Sequence, residues 1–241
     1  MAMISVNIEA EKLICVIAMQ RSGHHAVINW IAAQINRPIK FVNAFDHADW
    51  VIDYNKHLKG TPYLITNFED FPIQTTLNAI SQNAEFAKEA DIYLVLRNPY
   101  NLLASRHFAQ FHKKTHDQKE ALAIWYDHAH EFIRTTRKIN DSQFRPIAYD
   151  TWFQHPEYRE HLAQSWFGHE SRERSLNLVP NSGMGSSFDG QAYNGKARKM
   201  KVLDRWRRLL KDEYHQKLFR NNPQLLHLTL QIFGEAPGLI I

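Results

Sequence analysis

The chain holds a single cysteine, Cys15, among 241 residues, so no disulfide can form within it. Cys15 lies inside the apolar run 13–19, where a buried structural thiol is expected rather than a reactive one. That run is the longest uninterrupted apolar stretch, and it falls far short of the about 20 residues a membrane-spanning helix needs. Glu9 and Glu11 precede it and no small-residue cleavage site follows, which argues against a secretory leader. Internal repeats and low-complexity tracts are lacking too. A soluble, cytoplasmic protein with one domain over 1–241 is the expectation.

Two chemical signatures are missing as well. The nucleotide-kinase loop GxxxxGK[ST] does not occur. His112 and His116 stand at metal-ligand spacing, but no glutamate of the HExxH type lies between them, and with 14 histidines in the chain such pairs arise by chance. No metal site is expected.

What is present suffices for a full core: 44% of residues are hydrophobic and 12% aromatic, so no covalent or metal staple is required. The formal charge of +4 suits nucleic acid or a small polyanion such as a nucleotide, and does not choose between them. Residues 11–19 read as a fully buried strand. A polar turn follows, then a helix over 26–35. Runs 38–42, 63–68, 92–96 and 145–149 are further strands, with connections long enough to cross back over a sheet. Helices are predicted over 99–111, 118–139, 156–167, 202–219 and 224–233, with Trp125, Phe132 and Ile133 assigned to the core. The fold class is α/β, a mainly parallel sheet with helices on both faces. Residues 181–199 lack periodicity and read as a lid or binding loop.

Two constellations carry chemistry. Arg21, Ser22, Gly23, His24 and His25 fill the turn between the first strand and its helix, where backbone N–H groups and the helix dipole favour an anion. Arg97 ends the strand 92–96, and Ser105 lies about two helical turns further on, within reach of the same phosphate. Both fall at the carboxyl edge of the sheet, where ligands of open α/β folds bind. Together they describe a site for two anionic groups.

These residues resemble the sulfotransferases that use 3′-phosphoadenosine 5′-phosphosulfate (PAPS), whose product is PAP. The family's first loop typically reads Lys-Ser-Gly-Thr-Thr-Trp and holds the 5′-phosphosulfate; Arg21 to His25 occupy that place. Its second motif, Arg-(Asp/Asn)-Pro with a serine eight positions after the arginine, holds the 3′-phosphate and is matched by Arg97 and Ser105. Trp125 and His128 resemble the family's Trp-x-x-His. Tyr149 and Asp150 are similar to its Tyr-Glu-Asp, and Ser187 with Phe188 to a Ser-Phe pair, which implies Tyr149 and Phe188 against adenine. Trp206 resembles a tryptophan near the family's basic cofactor loop, for which Lys196, Arg198 and Lys199 stand in here. The likeness spans roughly residues 12 to 215.

Departures accompany it. The first-loop lysine is Arg21, and His24 and His25 replace the threonines. No histidine follows the strand 63–68, so the general base falls to Glu69, with Asp70, His24 and His47 as alternatives. The resemblance implies transfer of a sulfuryl group to a hydroxyl or amine of a small polar acceptor, faced by 43–59 and 107–117, without nucleic acid or membrane. The rival readings are a nucleotide-dependent small-molecule kinase and a nucleotide- or RNA-binding module without catalysis. Oligomeric state is not readable, since no known dimerisation motif appears near the C-terminus.

Overall fold

The computed structural model describes residues 12–43, 63–82, 90–109, 118–137, 144–180 and 188–234. Five strands, β1 Lys12–Ala18, β2 Ile39–Asn43, β3 Tyr63–Glu69, β4 Asp91–Leu96 and β5 Phe144–Ala148, form one sheet in the order β2-β3-β1-β4-β5, every pairing parallel. All five predicted strands are present within a residue or two of their expected ends.

The sheet is covered on both faces, and the alternation along β1 shows how. Leu13, Cys15, Ile17 and Met19 point into one core, and Ile14, Val16 and Ala18 into the other, as the two-residue period of a strand requires. Both sets are apolar because parallel strands bury both faces. Helices α1 His24–Gln34, α5 Tyr149–Gln154 and α6 Pro156–Phe167 cover the second face, with Trp30, Trp152 and Ile31 in its core. The first face carries α2 Ile73–Gln82, α3 Pro99–Phe108, α4 Gln118–Arg137, α7 Glu213–Arg220 and α8 Pro223–Phe233, packed through Trp125, Phe132, Leu225 and Leu228. The core assignment of Trp125 and Phe132 is borne out, with Ile133 packed against the same cluster. Cys15 is fully buried, and burial pushes its thiol well up.

One predicted helix is corrected. Residues 202–219 are not continuous: a short 3-10 segment, Arg205–Leu209, precedes α7. A regular helix would bond the Val202 carbonyl to the Trp206 N–H. Here Arg97 Nη2 donates to the Val202 carbonyl at 2.7 Å, and the Trp206 N–H donates to Asn101 Oδ1 at 3.4 Å. Tertiary partners have claimed both ends of that helical bond. Helices α2 and α5 add to the sequence expectations, Tyr149 opening α5 rather than ending a strand. Of the proposed loop 181–199, residues 188–199 form turns and a 3-10 turn at Ala197–Lys199, while 181–187, with Ser187, lie outside the described residues. No helix among the described residues is long and apolar enough to cross a membrane.

Candidate active site at the carboxyl edge of the sheet

The chain leaves β1 through a tight turn in which Arg21 (φ 68°) and Gly23 (φ 85°) are both left-handed. Such a backbone is strained for arginine and natural for glycine. Gly23 has a second reason to lack a side chain: an added Cβ would sit 2.4 Å from Cε2 of the Tyr149 ring. Helix α1 then starts with no side-chain cap on its N-terminus and no acid in its first turn. Its first N–H groups have no partner within the helix, and they open on the same edge as the ends of β3, β4 and β5.

At the end of β4 the Arg97 guanidinium is buried and reaches in three directions. Nη1 donates to the Arg21 carbonyl at 2.8 Å and to Ser105 Oγ at 3.2 Å, and Nη2 donates to the Val202 carbonyl. The Trp125 indole N–H holds the Arg97 carbonyl at 2.9 Å. The predicted pairing of Arg97 with Ser105 is therefore a contact in the structure.

Arg205 completes this arrangement, and sequence reasoning passed over it. Its Nη1 donates to the same Ser105 Oγ at 3.1 Å, so two guanidinium groups converge on one buried hydroxyl. Burial and the neighbouring Arg97 push the Arg205 pKa down to about 9. Arg205 also lies over the Phe188 ring, Cζ to centroid 4.5 Å, with Arg208 at 4.7 Å. Of the basic residues expected near the cofactor, Lys196 is over the Tyr193 ring and Arg198 pairs with Glu173. A signal for Arg205 did exist. Val202, Arg205 and Leu209 stand at i, i+3 and i+7 and are all buried, so a cation sits on what reads as an apolar stripe.

Tyr149 is fully enclosed under Gly23, with the Arg97 guanidinium 5.2 Å from its ring centroid. Asp150 accepts from the Asn98 N–H at 2.8 Å and from Asn101 Nδ2 at 3.2 Å, tying the end of β5 to the Arg97 loop.

At the end of β3 the two acids separate, because Glu69 is the last strand residue and Asp70 leaves the strand in a left-handed conformation. Asp70 (φ 62°) turns inward, and both its oxygens accept from Arg106 Nη1, at 2.7 and 2.9 Å. Oδ1 also accepts from the Gln20 N–H at 3.1 Å, so this pair fastens the β1 turn to β3. Glu69 faces the α1 terminus. Its Oε1 lies 2.9 Å from His24 Nε2, 3.6 Å from His25 Nε2 and 2.7 Å from Asn67 Nδ2. Burial pushes the Glu69 pKa up, but the bond from His24 and the adjacent imidazoles outweigh it and leave the carboxyl below its ordinary value. His24 is fixed from its other side by Ser22 Oγ at 3.1 Å from Nδ1. His25 is pushed down to about 3, by burial first and then by His24. His47 and the pair His112 and His116 lie outside the described residues, as do most of the expected acceptor-facing segments.

No protein-family model and no curated protein matches the sequence. Solved structures do. Mouse sulfotransferase SULT7A1 complexed with PAP aligns over 92% of this chain and 85% of its own, with a TM-score of 0.55 at 12% identity. The sulfotransferase domain of the Synechococcus PCC 7002 olefin synthase aligns over 83% of this chain and 88% of its own, with a TM-score of 0.52 at 13% identity. At such identities the likeness concerns the backbone, and on that ground the chain has the sulfotransferase fold.

Proposed function

We propose that the protein is a sulfotransferase that uses PAPS as donor and a hydroxyl or amine of a small polar acceptor as recipient. The observation that carries this reading is the convergence of Arg97 and Arg205 on Ser105 Oγ. Two guanidinium groups directed at one buried hydroxyl suit a dianion held between them, and a terminal phosphate is the dianion of matching size and donor geometry, with Asp189 Oδ2 3.9 Å from Arg205 Nη2 as the carboxylate near this pair. The uncapped start of α1, with Arg21 beside it, supplies donors for a second anionic group.

When bound, the nucleotide supplies an activated sulfuryl group whose leaving group is a 5′-phosphate. The chain's own residues then have separable tasks. Arg97, Ser105 and Arg205 hold the 3′-phosphate, Phe188 offers a ring to the adenine, and Tyr149, enclosed under Gly23, packs beneath the loop. Arg21, Ser22 and the first N–H groups of α1 face the developing negative charge, a placement that lowers a barrier without covalent chemistry. Glu69, ionised at neutral pH, accepts the acceptor's proton, while His24 and Asn67 hold the carboxylate in place. Asp70 is engaged by Arg106 and serves the loop rather than the proton.

Calorimetry with PAP, ATP and a short RNA, each with and without magnesium, tests the reading. PAP alone should bind tightly; binding of ATP only with magnesium, or of RNA in preference to PAP, would transfer the case to the kinase or the binding module. A metabolite screen for a mass gain of one sulfate then identifies the acceptor.

A further inference from the structure

Glu69 and the two histidines at the start of α1 form a cluster whose geometry exceeds what holding a carboxylate requires. One ligand atom from each of His24, His25 and Glu69 lies within 4.8 Å of the other two. The separations to Glu69 Oε1, 2.9 Å from His24 Nε2 and 3.6 Å from His25 Nε2, are close to the polyhedron edges set by metal–ligand bonds of about 2.0–2.2 Å. The ligand atoms come from two elements, the end of β3 and the first turn of α1, which the parallel pairing of β1 with β3 holds side by side. A search of sequence spacing along one helix does not find such a set.

We propose that His24, His25 and Glu69 form a binding site for a divalent transition cation of the zinc class. Three further observations support it. His24 Nδ1 is held by Ser22 Oγ, the outer contact by which a ligating imidazole is oriented. His25 packs edge-on against Phe41 and beside His24, an arrangement that aims His25 Nε2 at Glu69, while its Nδ1 is buried without a hydrogen-bond partner. Asn67 is fully buried, with Nδ2 turned 2.7 Å from Glu69 Oε1 and 3.3 Å from His24 Nε2, while its Oδ1 has no partner. A carboxamide's two ends are exchanged by a half-turn, and that turn brings Oδ1 to the cluster as a fourth ligand. Two imidazoles with one carboxylate select zinc, cobalt, nickel or copper over magnesium and calcium.

The site stands without the sulfotransferase reading. Under that reading an ion here occupies the carboxylate that receives the acceptor's proton, so metal and acceptor compete. The test is titration of the full chain with cobalt(II), read by its visible d–d absorption and reversed by zinc. One equivalent should give the intense bands of a four-coordinate site. Glu69→Gln and His25→Asn should each weaken binding by more than the roughly 10–100-fold typical of outer contacts, with circular dichroism reporting that both variants fold. His107→Asn, outside the cluster, should leave the titration unchanged. Absence of the bands, or bands indifferent to both cluster variants, overturns the proposal. PAP calorimetry on the same samples reports on the nucleotide site separately, so failure of one reading is distinguishable from failure of the other.

Discussion

In the proposed nucleotide site Ser105 is the pivot, because its hydroxyl is where Arg97 and Arg205 meet. Arg97→Ala should weaken PAP binding by about 2–4 kcal/mol, the scale of a buried charge-assisted contact. Binding of adenosine 5′-phosphosulfate, which has no 3′-phosphate, should hardly change. Arg205→Ala should show the same selectivity with one difference. It relieves repulsion from Arg97 but also removes the contacts to Ser105, Phe188 and Asp189, so the free protein's denaturation midpoint should change little while PAP affinity falls. Equal losses for both nucleotides would make these arginines structural. At the neighbouring acids the roles divide in the same manner. Glu69→Gln should keep PAP affinity and lower turnover by about 100-fold or more, the usual scale for losing a general base. Asp70→Asn strips a buried guanidinium of its partner, and a loss of about 3–5 kcal/mol of stability is expected. Normal turnover in Glu69→Gln would withdraw the base assignment and leave the nucleotide site standing.

Among the elements, the β1–α1 turn is the least tolerant of change. Gly23→Ala combines a left-handed φ with a Cβ driven into the Tyr149 ring, and each effect costs about 1–3 kcal/mol. Denaturation should register the loss, and PAP titration should register displacement of Tyr149; a variant of unchanged stability and affinity would show that the ring yields freely. This turn was legible in the sequence because a β-branched apolar run stops at Gln20 and helical spacing resumes at Ala26, and those signals are local. The pairing of Arg97 with Ser105 was legible for the same reason, both lying on one strand-to-helix junction. Arg205 was not, because its position depends on the 3-10 break at Arg205–Leu209. That break exists only where Arg97 and Asn101 capture the helix's own bonding groups. The separate fates of Glu69 and Asp70 lay in between: both acids are visible where the strand runs out, but the left-handed turn at Asp70 and Arg106, 36 residues beyond it, decide which one is neutralised.

For the molecule as a whole, buried titratable groups limit the pH range of the fold from both sides. His128 lies beneath the sheet at full burial, its Nε2 2.8 Å from the Phe71 carbonyl, which accepts its proton. Burial pushes its pKa below the ordinary 6.5, and the bond to Phe71 only partly opposes this. Between the depressed native value and 6.5 the unfolded chain therefore binds a proton that the native chain refuses. Stability is then fully present above pH 6.5 and is lost as the pH falls, at up to about 1.4 kcal/mol per pH unit for one histidine. On the alkaline side Tyr93, Tyr100 and Tyr149 are all raised by burial, Tyr100 to about 12. Unfolded tyrosine ionises near 10 while the native rings stay neutral, so stability falls again as the pH rises beyond that value. Asp150 opposes the acid limb, since burial raises its pKa and acidification relieves it. His25 is depressed as well, so the comparison of wild type with His128→Gln from pH 7 to 5 is what isolates the His128 contribution. Urea midpoints should fall across that interval in the wild type and fall less in His128→Gln, whose side chain can donate to Phe71 without titrating. Parallel losses in the two proteins would show that His128 is not a source of the acid limb.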